Sequence, residues 1–174
     1  MSSNSKIEWT TKTWNPITGC TKVSQGCANC YAEREWPRLQ HSPLYAGRKF
    51  TDVAFHDGRL EDPFKWKKPC MIFVNSLSDL FHPAVTDGQL FKIFNTIAGC
   101  QQHIFQVLTK RPERMREFLH VVSPAQFTNL WLGVSVEDQA TADERIPILI
   151  DTPASVRWVS AEPLLGHVDI DGLG

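Results

Sequence analysis

The sequence predicts an α/β protein built on a parallel sheet, with a cysteine-rich loop ahead of it. Three observations carry this. Short, continuously apolar runs recur at intervals of about thirty residues, the rhythm of βαβ units. Amphipathic helical periodicity fills the spaces between them, and three cysteines crowd into one segment before the first run. Strands alternating with helices in this way argue for right-handed crossovers and a parallel sheet. A chain of 174 residues suits one domain, 1–174, with a real core.

The elements follow in order. Residues 36–68 are rich in Pro, Gly and charge without clear period and read as a long loop or insertion, the kind of segment that often carries function. Met71-Ile-Phe-Val74 is a short apolar run, as expected of a strand buried on both faces. Thr86 and Asp87 can cap a helix whose apolar positions are Leu90, Phe91, Phe94, Ile97 and Ala98, with Gly99 at its stop. His103 to Leu108 is the next strand. Pro112 sits where a helix begins, and Met115, Phe118 and Leu119 give that helix its apolar face. Leu130 to Val136 is a third strand. A helix follows from about Asp138 with Pro147 disturbing its late part, and Val156 to Ser160 is a fourth strand.

Composition excludes several classes. The apolar and charged fractions are those of an ordinary soluble protein. A net charge of −1 gives no global pull toward nucleic acid or an anionic membrane. The polar start carries no signal peptide, and no apolar run is long enough to span a bilayer, so a cytoplasmic protein without membrane association is expected. Five cysteines in a reducing compartment are metal ligands, redox groups or buried apolar side chains rather than staples. Cys70 and Cys100 stand apart, each beside an apolar segment, and read as buried and inert.

Cys20, Cys27 and Cys30 are different. They lie in Gly19-Cys20-Thr-Lys-Val-Ser-Gln-Gly26-Cys27-Ala-Asn-Cys30, and thiolates this close converge on something. Three sulfurs suit three irons of a [4Fe–4S] cluster, leaving one iron open to a small molecule. Zinc is the alternative metal and needs a fourth ligand, for which His41 and His56 are near in sequence. A redox or ligand-free loop is the third reading. Gly19 and Gly26 permit the tight turns of a wrapped metal loop and equally of an ordinary one.

In parallel α/β folds ligands bind at the carboxyl ends of the strands. There the sequence places Asn75, Ser78, Asp79, Lys110, Arg111, Ser135, Glu137, Ser160 and Glu162, which are expected to ring one site. Ser78 and Asp79 also read as turn and cap residues, and Lys110 and Arg111 as surface charges. Glu162, before Pro163, has no capping role. Glu162 and Lys110 are the catalytic candidates; Asn75, Ser78, Asp79, Ser135, Glu137 and Ser160 are the cofactor-binding ones.

The stretch Ile7-Glu8-Trp9-Thr10, Thr13-Trp14-Asn15-Pro16-Ile17-Thr18-Gly19-Cys20 and Gly26-Cys27-Ala-Asn-Cys30-Tyr31-Ala-Glu33 resembles the phage Gp37/Gp68-like, or DUF5131, family. Phe73 to His82, Leu108-Thr109-Lys110-Arg111-Pro112 and Ser160-Ala161-Glu162-Pro163-Leu164 extend the resemblance over most of the chain. It implies an outlying branch of the radical S-adenosylmethionine (SAM) enzymes. With that come a partial (β/α) barrel of about four to six parallel strands, a [4Fe–4S] cluster on Cys20, Cys27 and Cys30, and SAM as cofactor. Two features depart from it. The common spacing is C-x3-C-x2-C, whereas here the first gap is six residues. Relatives continue into a further strand with a Gly-Gly-Glu segment, whereas this sequence stops at Gly174, so a barrel short by at least one unit is expected.

Two functions of different class follow. One is reductive cleavage of SAM for a further substrate. The other is a non-catalytic short form that binds a host protein or nucleic-acid complex, in the host cytoplasm if phage-encoded. For the latter, Trp9, Trp14, Trp36 and Trp66, interleaved with Arg34, Arg38, Arg48, Lys49, Lys65, Lys67 and Lys68, read as a basic stacking face, or half of them as core. A sheet edge left open at Val156 to Ser160 is expected to pair with a second copy or a partner.

Overall fold

The computed structural model describes residues 5, 7–122 and 127–170. The polar start at 1–4 and the chain end at 171–174 lie outside them. Among the described residues there are seven strands: β1 (Lys12–Trp14), β2 (Ile17–Thr18), β3 (Ala54–Phe55), β4 (Met71–Val74), β5 (Ile104–Thr109), β6 (Leu130–Ser135) and β7 (Val156–Ser160). Four α-helices accompany them: α1 (Tyr31–Leu39), α2 (Asp87–Gly99), α3 (Pro112–Val121) and α4 (Gln139–Asp151). The main sheet has the order β1-β4-β5-β6-β7, every pair parallel. β2 and β3 form a separate antiparallel pair. Chain order and spatial order agree from β4 onward, with one helix in each crossover, which is the progression of a partial (β/α) barrel.

The strands form where the sequence is apolar on the helix-covered face. Ile72, Val74, Phe105, Val107, Leu132 and Val134 are all buried and join one core with Leu90, Phe94, Met115, Leu119, Ala142 and Ile146. Three of the helices start on a local signal. Thr86 accepts from Gln89 N while Gln89 Oε1 accepts from Thr86 N, closing a capping box on α2. Asp138 does the same with Thr141 at α4. Pro112 opens α3, where its missing N–H costs nothing.

α4 holds Pro147 in its late part and runs on to Asp151. Other expectations are corrected in part. The loop expected from Trp36 begins inside α1, which continues to Leu39, and later holds β3 and two short 3-10 turns. Of Trp9, Trp14, Trp36 and Trp66, Trp14 and Trp36 are buried core, in line with the reading of half of them as core, and Arg48 lies 5.5 Å over the Trp36 ring. Cys100 is buried, but Cys70 is only half-buried, its thiol donating to Lys68 O. No helix among the described residues is long and apolar enough to cross a membrane.

The β2–β3 pair is pinned by His56, whose N–H donates to Pro16 O at 2.7 Å and whose Nε2 meets Thr18 Oγ1 at 2.7 Å. Burial, then the charges of Arg59 and Arg48, push the imidazole down from 6.5 to about 4. The unfolded chain therefore takes up this proton near pH 6.5 while the folded chain resists until about pH 4. Stability is expected to fall as pH drops through that window. Urea midpoints at pH 7 and pH 5 should differ in the wild type and converge in part in His56→Gln. An equal loss in both proteins would place the acid sensitivity elsewhere.

Candidate metal centre

The cysteine loop leaves β2 through Gly19. Its φ is +90°, and a Cβ there would stand 2.6 Å from Asp52 O, so glycine is required on both counts. Gly19 N donates to Leu77 O at 3.0 Å and Cys20 N to Phe50 O at 2.9 Å, which fixes Cys20 beside the turn after β4. A short 3-10 turn spans Gln25–Cys27, with Cys27 N donating to Ser24 O. Cys30 caps α1. That helix buries Ala32 and Trp36 against Tyr45 and Phe50, and Cys20 and Cys30 pack on this small cluster. All three cysteines are half-buried free thiols.

Two ion-pair clamps tie the loop to the strand ends. In the first, Asp79, beyond β4, accepts from Thr109 Oγ1 (2.7 Å), Phe81 N (3.0 Å), Lys110 N (3.1 Å) and Arg111 Nη1 (2.9 Å). Arg111 reaches on to the loop: its Nη2 donates to Thr21 O at 2.9 Å, and its Nη1 lies 3.9 Å from Cys20 Sγ. Burial opposes the guanidinium's charge, yet Asp79 and Cys20 outweigh it and hold Arg111 above its ordinary range. The Cys20 thiol is pushed up, first by burial and then by Asp79, with Arg111 pulling the other way.

The second clamp is centred on Glu137, just beyond β6 and 1 % exposed. Its Oε1 accepts from Lys110 Nζ, from Ser24 Oγ at 2.8 Å and from Arg145 Nη1 at 3.3 Å. Burial alone would raise this carboxyl, but the bonds from Lys110 and Ser24 and the charges of Lys110 and Arg145 hold it below the ordinary range. Gly26 rests directly on it: a Cβ there would come within 2.5 Å of the Glu137 side chain. The loop is thus seated on a buried charge network spanning β5, β6 and α4.

The sequence-predicted residues lie at this end of the sheet, several of them paired with one another. Asp79 and Glu137 are committed to the clamps, and Lys110 and Arg111 are their partners rather than loose surface charges. Ser78 Oγ donates to Ile17 O at 3.0 Å, securing β2. Asn75 adopts a left-handed backbone, φ 62°, a region Asn enters more readily than most residues. Its Oδ1 accepts from Ile17 N, while its Nδ2 is buried and has no partner among the described residues. Ser135 and Ser160 are buried and face each other in the β6–β7 register. Glu162 is exposed, and its backbone carbonyl lies 3.4 Å from Lys110 Nζ. Sequence reasoning missed Ser24, Arg145 and His82. A signal existed for Arg145, a charge between Ala142, Ile146 and Leu149 on the buried face of α4.

Among the described residues no group of three His, Cys, Asp or Glu side chains stands at metal-holding geometry. The donors that the loop offers are three free thiols. His56 is taken by Thr18. His82 Nδ1 accepts from Ala84 N, so Nε2 carries the proton and donates to Thr21 Oγ1 at 2.8 Å. Burial first, and then Arg111, lower this imidazole. With His56 and His82 committed, His41 is the remaining histidine near the loop in sequence, and it is exposed; three soft sulfurs are the donors of an iron–sulfur cluster and, with a fourth ligand, of zinc.

No curated protein sequence matches the chain. Solved structures of spore photoproduct lyase are similar in fold. One, complexed with dinucleoside spore photoproduct, superposes with a TM-score of 0.64 at 13% identity, covering 92% of this chain and 48% of the lyase. A cysteine-to-serine mutant gives 0.59 at 14% identity, covering 91% and 46%. The chain spans about half the length of these structures, and at such identity the likeness is one of fold, a partial (β/α) barrel. The family description "Protein of unknown function (DUF5131)" matches residues 4–174, the stretch that holds the cysteine loop, both clamps and every strand of the sheet, and the chain belongs to that family.

Proposed function

We propose that this is an iron–sulfur protein of the radical SAM kind, in which Cys20, Cys27 and Cys30 hold a [4Fe–4S] cluster over the carboxyl ends of β4 to β7. The observation that carries the reading is the seating of a three-thiol loop on those strand ends by two buried ion-pair clamps. When bound, the cluster supplies one electron that cleaves SAM to methionine and a 5′-deoxyadenosyl radical. The chain's own residues bind, orient and exclude water. Arg111 and Glu137 hold the loop. Asn75 Nδ2 (unpartnered among the described residues), the Ser135–Ser160 pair and the exposed Glu162 are the polar groups left at the strand ends for SAM and its substrate.

Anaerobic reconstitution followed by calorimetry tests this. The protein should be brown and should bind SAM only when loaded. Asn75→Ala or Ser160→Ala should weaken that binding by about tenfold, the effect of one lost hydrogen bond. Stoichiometric zinc without iron would overturn the cluster. A loaded cluster that ignores SAM would favour the second reading, a non-catalytic binding protein. That reading draws on the open β7 edge, where Val156 and Val159 are exposed, and on the exposed Leu164 and Leu165 beyond it.

A further inference from the structure

We infer that Arg111 sets the reduction potential of the centre held by Cys20, with Asp79 as its counterweight; this rests on the three-cysteine reading above. Arg111 is the charged side chain hydrogen-bonded to a cysteine sulfur, with Nη1 3.9 Å from Cys20 Sγ. The same nitrogen is 2.9 Å from Asp79 Oδ2, and the side chains are only 11% and 9% exposed. Nη2 is fixed on Thr21 O. A guanidinium does not lose its charge in a protein, and its planar donors keep a fixed direction. Hydrogen bonds and net charge at a ligating sulfur are among the factors that set iron–sulfur potentials. Reduction adds one negative charge to the cluster, so a nearby cation with an N–H aimed at sulfur favours the reduced form. The Asp79 carboxylate opposes it. The pair is poorly screened because it is largely buried.

A purely structural Arg111 would tie the loop to β4 and β5 and nothing more. The two roles separate in the potential. The test uses the full chain, reconstituted without SAM and titrated with dithionite as one-electron reductant, the reduced cluster being followed by electron paramagnetic resonance. Arg111→Met should lower the midpoint by a factor of about ten in the reduction equilibrium, about 59 mV for one electron. Arg111→Lys should retain most of the wild-type value. Asp79→Asn should move the midpoint the opposite way, upward, since Thr21 O still holds the guanidinium. Iron content should stay at about four per chain in each. Unchanged potentials, or Arg111→Met and Asp79→Asn shifting in the same direction, would overturn the inference while leaving the cluster intact. If Arg111→Met fails to load, Asp79→Asn and Arg111→Lys decide it, and an unchanged Asp79→Asn potential overturns it. If the wild type takes up no iron, the three-cysteine reading falls and the inference with it.

Discussion

Alanine at Cys20, Cys27 or Cys30 should remove the iron altogether, whereas Cys70→Ala should leave about four irons per chain, the content of one [4Fe–4S] cluster. The three thiols belong to one loop, of which Cys20 and Cys30 pack on one aromatic cluster, while Cys70 is bonded to Lys68 O ahead of β4. A cluster with three protein ligands has no spare, so loss of any one removes a third of its anchorage. Iron and sulfide assays and the visible spectrum of anaerobically reconstituted variants measure this. Retention of full iron by any one of the three variants would remove that cysteine from the ligand set.

The second large effect is expected at Glu137. Removing its carboxylate in Glu137→Ala leaves the Arg145 and Lys110 cations buried, at 4% and 17% side-chain exposure, and deprives Ser24 of its acceptor. Breaking a buried pair from one side costs about 3–5 kcal/mol. Urea unfolding should show that loss, and limited proteolysis should cut within residues 20–30 because the seat of the loop is gone. The sign of the pH dependence follows from the depressed carboxyl. Its contribution is complete above the ordinary glutamate value of 4.5 and is lost as pH falls through the lower folded value. The gap between wild type and Glu137→Gln should therefore narrow in acid. A loss below about 1 kcal/mol, the scale of a solvent-exposed pair, would show that the network is not buried in solution.

Much of the fold was legible because it rests on local patterns. The runs at Met71, Ile104, Leu130 and Val156 are apolar enough to announce buried parallel strands, and Thr86, Pro112 and Asp138 are local start signals that need no tertiary context. β1 was not legible. Three residues carry no periodicity, and only pairing with β4 some sixty positions away makes them a strand. α4 continues past Pro147 because a tertiary face of Ala142, Ile146 and Leu149 holds the helix together across the missing hydrogen bond. Half of the four tryptophans interleaved with charge are core, as one of the two readings had it, but that interleaving along the chain says nothing about which rings the core takes.

The candidate site divides along the same line. By itself the sequence determined that three thiols share one loop, and that Asn75, Asp79, Lys110, Arg111, Glu137 and Glu162 fall at strand ends, since both facts follow from spacing and period alone. Only the tertiary structure decided what those residues do. Asp79 and Glu137 look like free carboxylates in sequence, yet folding surrounds each with cations and hydroxyl donors drawn from other segments, Ser24 lying 113 positions from Glu137. Charge pairing depends on separation in space, and inside the protein, where water does not screen it, the partner brought near by the fold fixes whether a carboxylate meets a ligand or holds a loop.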